Sequence, residues 1–298
     1  MELERWAELS GAVSAVAAEF ERHPRDTYST ATIVRVHLWA ALFDRPTRWA
    51  CRAENWKPST RPAALPDQST MSRRTRRDDF GTFLERVGKR LGGKAAPGPV
   101  RAVDGKPLEL PNHTTDRDAT WGRGVSRTSV GYKFHAVFSG GPMPDAFAIT
   151  TLAVSEKDMA ARMVGRLGGR SGAHGYLLAD AHFDASWLFD YCRHHGFQLV
   201  CPRAKPGTGM GHHYVSPHRL RAIQMLEPPA GVNTFGLDLY AGRTEIERQF
   251  SQLVCFGGGL TTLPPWVRRI WRVRNWVMAK LLINAARIRL NRKNALSA

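Results

Sequence analysis

The chain has 298 residues, of which 43% are hydrophobic, so it is long enough for two domains and too apolar for a largely disordered protein. Its 43 lysines and arginines, against 26 aspartates and glutamates, give a net charge of +17. This excess favours a polyanionic partner such as nucleic acid, although a basic surface that is only solvated is the alternative.

Membrane and secreted classes of protein are disfavoured by the sequence. It has no run of about 20 uncharged apolar residues, the length that a membrane span needs. The N-terminus, MELERWAELSGAV, lacks the basic-then-apolar order of a signal peptide. The cysteines form no CxxC pair, which predicts free thiols in a reducing cytoplasm and no disulfide framework or zinc site. They are Cys51, Cys192, Cys201 and Cys255.

The N-terminal segment is predicted to be helical. Apolar residues recur at helical spacing over 30–43, and a second segment covers 47–56. Turn and N-cap residues then precede a third helix from Thr70 to Val87. The first turns of this helix carry Arg73, Arg74, Arg76 and Arg77. A helix-turn-helix module with residues 72–77 against DNA fits this order, and an ordinary helical bundle with a basic solvent face fits it equally well.

The spacing of apolar residues changes after GGKAAPGP, which reads as a linker over 92–99. Strands are predicted at 100–103, 126–139, 145–154, 175–180 and 197–202, and helices at 156–167, 185–196, 216–226, 241–255 and 266–292. This order predicts an α/β domain with a mixed sheet covered by helices over 100–298, behind a helical DNA-binding domain over 1–91.

Two aspartates end apolar runs of the predicted sheet. Asp104 follows VRAV, and Asp180 follows GYLLA. A carboxylate at the end of a buried strand is costly unless it is paired, and a divalent cation is a natural partner. Each aspartate alone is also consistent with a helix cap, but two in one sheet favour a metal site.

A third carboxylate lies on a predicted amphipathic helix over 240–253. Tyr240, Arg243 and Glu247 fall at positions i, i+3 and i+7, on one face of that helix. This face can present Glu247 to a metal, with a guanidinium one turn away. Taken alone, an Arg/Glu pair at this spacing is usually a surface salt bridge. The apolar stripe beside it consists of Ile246, Phe250 and Leu253.

The Tyr-x2-Arg-x3-Glu spacing, together with AVDGK around Asp104 and LLADAHFD around Asp180, resembles bacterial insertion-sequence transposases of the Asp-Asp-Glu (DDE) class. The resemblance covers about residues 100 to 290 and implies a ribonuclease-H-like fold. It also implies that Asp104, Asp180 and Glu247 are the catalytic metal ligands, with Asp184 as the alternative to Asp180. In this family a lysine lies seven residues after the glutamate, and this chain has Val254 at the corresponding position.

The resemblance implies phosphoryl transfer with two Mg²⁺ ions, which are about 3.5–4 Å apart in two-metal sites, and Mn²⁺ is the expected substitute. Water would cut DNA at the element end, and the resulting 3′-hydroxyl would attack target DNA. The implied partners are terminal inverted repeats, target DNA and a second copy of the chain in a homodimer. The implied location is the bacterial cytoplasm, on the nucleoid. Tyr240, Arg243 and Arg248 would position the DNA.

The C-terminal segment adds positive charge. From Trp266 onward the sequence has nine lysines and arginines and no acidic residue. Tryptophans interleave with the arginines that are expected to face phosphate. The tryptophans are Trp266, Trp271 and Trp276, and the arginines are Arg268, Arg269, Arg272 and Arg274. The tryptophans are expected to pack this helix onto the core, and base stacking by one of them is the alternative.

Two rival functions remain open at this stage. One is a DNA-binding relic of a transposase, which Val254 favours and the three carboxylates disfavour. The other is a ribonuclease-H-like nuclease that cuts without joining, which the Tyr/Arg/Glu helix disfavours. No long β-rich insertion separates Asp180 from Glu247, so the route of second-strand cleavage is left open.

Overall fold

A computed structural model describes residues 2–20, 23–93, 98–168, 175–207, 214–229, 234–255, 259–260 and 262–297. The chain forms two compact units. Residues 1–94 and 252–298 form the first, here called the helical unit, and residues 95–251 form the second, the sheet unit. No helix in the described ranges is long and apolar enough to cross a membrane.

The elements follow one another in the chain as α1 (Glu2–Ala17), α2 (Thr30–Leu42), α3 (Thr47–Ala50), α4 (Gln68–Arg74), α5 (Asp78–Gly92), β1 (Val100–Leu110), β2 (Thr120–Arg123), β3 (Thr128–Phe138), β4 (Ala146–Thr151), α6 (Glu156–Gly168), β5 (Gly175–Leu178), α7 (Ser186–His194), β6 (Phe197–Val200), α8 (Pro217–Leu226), α9 (Phe235–Ala241), α10 (Thr244–Cys255) and α11 (Ile270–Ser297). Short 3-10 turns cover Ala53–Asn55 and Ala181–Phe183.

The sheet unit is built on a mixed sheet with the strand order β2-β3-β1-β5-β6, in which β4 also pairs with β3. Strand β3 runs antiparallel to β1, β2 and β4, whereas β1, β5 and β6 are parallel to one another. The predicted α/β class, a ribonuclease-H-like mixed sheet flanked by helices behind an N-terminal helical region, is confirmed.

The core of the sheet unit lies between the parallel strands and the helices α6 and α7. Strand residues Val103, Leu177 and Leu199 share one buried cluster with Val164 of α6 and Leu188 of α7. Burial of side chains on both faces explains why the parallel strands read as continuous apolar runs in the sequence.

The helical unit is formed by helices that precede the sheet unit in the sequence and by α11, which follows it. Helix α11 packs against α1, α2 and α5. Its residues Val277 and Leu282 are fully buried, and Lys280 is buried while donating to Asp44 at 2.6 Å. The predicted boundaries assigned this helix to the domain over 100–298. The division of the structure differs because the apolar residues of α11 are covered by the N-terminal helices.

Three predicted helices have other limits in the structure. The helix predicted over Thr70 to Val87 is divided into α4 and α5, because Arg77 has an extended backbone and caps a new helix that begins with Asp78 and Asp79. The helix predicted over 241–255 is divided between α9 and α10 at Gly242 and Arg243. Helix α11 begins at Ile270 and not at Trp266, since Arg269 has a φ of +72°.

The strands also differ in detail from the prediction. Strand β2 was not predicted, and β1 extends to Leu110, so Asp104 lies inside this strand and not at its end. The linker predicted over 92–99 lies partly outside the described residues, since 94–97 are not among them.

Candidate active site

Asp104 lies in β1, and Asp180 follows the neighbouring parallel strand β5 by two residues. The last pair between these strands is Ala102 with Leu178, and Asp180 is near enough to Asp104 to raise the pKa of that residue. One oxygen of Asp104 accepts a hydrogen bond from the backbone N–H of Gly105 at 2.7 Å. One oxygen of Asp180 accepts from the N–H of His182 at 2.9 Å. The two aspartates that the sequence singled out therefore lie close together.

Burial raises the pKa of Asp104 to about 6. The Gly105 N–H opposes this shift in pKa, whereas the nearby charge of Asp180 adds to it. Arg243 lowers the pKa of Asp104 and Glu156 raises it. The excess of negative charge around a partly buried carboxylate would be relieved by a divalent cation, which favours the ionised form of its oxygen ligands.

Glu156 and Lys133 form a buried ion pair that the sequence reading missed. The Lys133 ammonium, on β3, lies 2.7 Å from a Glu156 carboxylate oxygen at the start of α6. Glu156 also reaches the backbone beside Asp104, because a Cβ atom added at Gly105 would lie 3.1 Å from the carboxyl carbon of Glu156. A lysine within the apolar run of β3 was the available signal, since a buried lysine needs an acidic partner.

Tyr240 and Arg243 approach the two aspartates from the break between α9 and α10. The Tyr240 hydroxyl donates to the carbonyl of Ala179 at 3.1 Å, immediately before Asp180. Arg243 is near enough to Asp104 to act on its pKa. Burial raises the pKa of Tyr240, which keeps its hydroxyl protonated and able to donate. The structure thus gathers Asp104, Asp180, Tyr240 and Arg243.

Glu247 lies at the exposed edge of this group. Its side chain is 57% exposed, and its carboxylate accepts from Nη1 of Arg243 at 2.8 Å. Nε of Arg243 is buried and has no hydrogen-bond partner among the described residues. Arg243 therefore pairs with Glu247 and also acts on the pKa of Asp104.

A metal site is only partly assembled by these side chains. Within the described ranges, no group of three or more His, Cys, Asp or Glu residues is arranged to hold an ion. Asp104, within β1, and Asp180, just after β5, nevertheless supply the oxygen ligands that Mg²⁺ prefers. These two residues fit a divalent cation, and Glu247 would join them only after it leaves Arg243.

Asp184, the alternative to Asp180, has a structural role. Its side chain is 5% exposed, and Arg219 of α8 donates to its two oxygens at 2.5 and 2.7 Å. It also accepts from the backbone N–H of Ala204 at 2.9 Å. These bonds occupy its oxygens, so the geometry favours Asp180 as the second ligand.

Residues 95–263 match the family described as Transposase DDE domain, which is more than half of the chain. The chain belongs to this family. Membership makes the protein a transposase, of a type that cleaves and transfers DNA with a divalent metal. A comparison with curated protein sequences finds no match.

The basic residues of the transposase around α4 differ in their surroundings. Arg74 is 8% exposed and lies 3.1 Å from an Asp26 oxygen, and Arg77 also pairs with Asp26 at 2.9 Å. Arg73 and Arg76 are exposed. Of the four arginines predicted to face DNA, Arg73, Arg76 and Arg77 are therefore exposed, although Arg77 is paired with Asp26, and only Arg74 is buried.

The basic residues around the start of α11 are more accessible. Arg269 and Arg272 are exposed, and Arg272 lies 4.9 Å from the ring centre of Trp271. Arg268 is partly buried and donates to the carbonyl of Pro264 at 2.8 Å. Arg248 of α10 is 68% exposed and pairs with Glu245. The transposase therefore offers exposed guanidinium groups in both units.

Proposed function

We propose that this transposase cuts DNA at the ends of an insertion sequence and joins the freed 3′ ends to target DNA. The observation that supports the proposal is the parallel pairing of β1 with β5, which brings Asp104 of β1 near Asp180, two residues after the end of β5, in a domain that matches the family. We also propose a homodimer on DNA, because both element ends must be held together, acting on the nucleoid in the bacterial cytoplasm.

Asp104, Asp180 and Glu247 are proposed as ligands for two Mg²⁺ ions, with Mn²⁺ as a substitute. When bound, such ions supply positive charge to the attacking and leaving oxygens of a phosphoryl transfer. Arg243 is proposed to exchange Glu247 for a DNA phosphate, since its Nε already has no partner among the described residues. Tyr240 keeps the segment around Asp180 in place through its bond to Ala179.

The proposed reaction needs no bond between protein and DNA. In the first step a water oxygen bonds to phosphorus and the bond to the 3′ oxygen breaks, which leaves a 3′-hydroxyl and a 5′-phosphate. In the second step that 3′-hydroxyl bonds to a target phosphorus and releases a target 3′ oxygen. The protein holds and orients the strands through Arg243, Arg248 and four of the exposed arginines of the helical unit. These four are Arg73, Arg76, Arg269 and Arg272.

The proposal is tested by cleavage of labelled DNA that carries the flanking inverted repeat. We expect cutting with Mg²⁺ or Mn²⁺, and a loss of at least about 1,000-fold, or about 4 kcal/mol, in Asp104→Asn, Asp180→Asn and Glu247→Gln. DNA affinity should change by less than about 3-fold, because phosphate contacts supply most of it. Asp238→Asn, an exposed position on α9, is the matched control and should cut normally.

Metal binding has a readout of its own. Mg²⁺ should raise the melting temperature of the wild type and of Asp238→Asn, because an ion bound only to the folded state stabilises it. The increase should be absent in Asp104→Asn. Full cleavage by Asp104→Asn or Glu247→Gln would contradict the assignment of the active site.

A DNA-binding relic is the second candidate, and the Arg243–Glu247 ion pair favours it because this pair already engages the third carboxylate. Val254, where the family has a lysine, points the same way. Tight binding to the inverted repeat without cutting in Mg²⁺ or Mn²⁺ would favour the relic. Cutting without joined product would favour a nuclease.

A further inference from the structure

A cavity of about 440 Å³ lies within the helical unit, between the N-terminal helices and the beginning of α11. Of its lining residues, only Arg272 has a role in the proposed cutting and joining, as one of the arginines that hold DNA. Its volume falls within the range of about 300–1,000 Å³ that is usual for small-molecule sites. The cavity is therefore large enough for one nucleotide, and the chemistry of its lining can be compared with that ligand.

One part of the lining is aromatic. Trp266, just before α11, is 37% exposed, and its ring centre lies 6.5 Å from that of Trp276 in an edge-on arrangement. Trp271, also in the lining, is partly exposed. Accessible aromatic rings are the usual platforms for unpaired bases, because every base has a π face that can stack on them.

Another part of the lining is cationic. Arg45, Arg48 and Arg272 are exposed lining residues, and none of the described residues that line the cavity is Asp or Glu. Arg76 and Arg272 each place a guanidinium carbon 4.9 Å from the ring centre of Trp271. A concentration of arginine without acidic residues fits a phosphate group.

The remaining polar groups of the lining are neutral. Gln68 and Ser72 supply uncharged hydrogen-bonding side chains. Burial lowers the pKa of His37 to about 4, so this residue is uncharged near neutral pH. The lining therefore combines aromatic rings, neutral polar groups and arginines, which are the three kinds of group that a nucleotide's base and phosphate require.

We propose that this cavity binds one unpaired nucleotide of a DNA strand, with its base against the tryptophans and its phosphate against Arg45, Arg48 and Arg272. The inference rests on the proposed function only in taking DNA as the substrate. A base inside a duplex cannot enter a cavity until it leaves the stack, so the site distinguishes DNA with an unpaired nucleotide from fully paired DNA.

The test measures dissociation constants of the full chain by fluorescence anisotropy. The probes are a duplex with one bulged thymidine, the same duplex fully paired, and the same duplex with an abasic bulge, in a sequence unrelated to any element end. We expect the wild type to bind the thymidine bulge about 10-fold more tightly than the other two, as the stacking of one base implies. Thymidine monophosphate is the competitor that represents a free nucleotide.

Trp266→Ala and Arg48→Ala should each abolish the preference for the thymidine bulge. Both residues are exposed, so these variants are expected to fold, and thermal denaturation checks this. Arg61→Ala is the matched control, because it removes one exposed charge from the same unit outside the cavity lining, and it should keep the preference.

The proposal is overturned if the wild type shows no preference, or if Trp266→Ala and Arg48→Ala retain it. Binding of thymidine monophosphate without any preference for the bulge would also overturn it, in favour of a free nucleotide as ligand. Cleavage of the inverted repeat is measured with the same preparations. If the wild type prefers the thymidine bulge but does not cleave the inverted repeat, the result supports the nucleotide site in the cavity and contradicts only the proposed function.

Discussion

At the residue scale, two adjacent arginines of α4 have different surroundings. Arg74 is buried beside Asp26 and donates to the carbonyl of Tyr28 at 2.7 Å, whereas Arg73 is exposed. Arg74→Ala should lower the free energy of unfolding by about 3 kcal/mol, because a partly buried carboxylate loses a partner. Arg73→Ala should change it by less than about 0.5 kcal/mol and weaken DNA binding. Urea denaturation and DNA titration measure the two effects, and equal stability losses would contradict this prediction.

His37 makes the stability of the helical unit sensitive to acid. Burial lowers its pKa to about 4, while its Nε2 lies 3.2 Å from the carbonyl oxygen of Asn275. As the pH falls, His37 takes up a proton in the unfolded chain before it does so in the folded one. Its contribution to the free energy of unfolding is therefore fully present above about pH 6.5 and is lost toward pH 4. The full loss is on the order of 3 kcal/mol. His37→Gln should lose less melting temperature than the wild type between pH 7 and pH 5.

The exposed His23 provides the control for this pH dependence. His23→Gln should follow the wild-type melting temperature throughout, since it replaces an exposed side chain and leaves His37 in place. Identical pH profiles for His37→Gln and the wild type would contradict the assignment of the acid sensitivity to His37.

Sequence patterns predicted some residue environments and missed others. Asp104 and Asp180 stood out because each follows an apolar run, which is a local signal. The pairing of Lys133 with Glu156 joins β3 to α6, and the burial of Arg74 depends on Asp26. These contacts join residues far apart in the chain, and no local pattern of apolar and charged residues encodes them.

At the element scale, α8 holds the segment that follows β5. Arg219 of α8 pairs with the buried Asp184, four residues after Asp180. Arg219→Ala should cost about 3–5 kcal/mol, because it leaves a buried charge without its partner. At about 2–4 °C per kcal/mol, the melting temperature should fall by several degrees, and cleavage should fall with it.

Arg221→Ala is the control for that prediction, because Arg221 is exposed on the same helix. It should melt within about 1–2 °C of the wild type, as surface substitutions usually do. Loss of cleavage in Arg219→Ala without any loss of stability would instead indicate that Asp184 takes part in the reaction.

The first and last residues of helices were predicted well where the apolar spacing is regular, and poorly where a local change in backbone geometry ends a helix. Helices α2 and α6 match their predicted spans closely. The break at Gly242 and Arg243 escaped prediction because the apolar spacing continues across it. This break determines the candidate site, since Tyr240 and Glu247 lie on separate helices and not on one continuous face.

At the scale of the whole molecule, the sequence predicted a helical domain over 1–91 and an α/β domain over 100–298, whereas residues 252–298 belong to the helical unit in the structure. Apolar spacing identifies α11 as a helix and does not say which surface covers it. In the structure, α11 packs against α1, α2 and α5. These helices are separated from α11 in the sequence by the whole sheet unit.

This arrangement has a consequence during synthesis on the ribosome. The N-terminal helices emerge early, but α11, which buries their apolar surfaces, emerges only after the whole sheet unit. At about 5–20 residues per second, the chain between α5 and α11 takes on the order of 10–40 s to translate. The apolar surfaces of the N-terminal helices remain uncovered during that interval, and we expect nascent-chain chaperones to bind them. Residues 95–251 can fold meanwhile, and the helical unit, with its cavity, is completed after them.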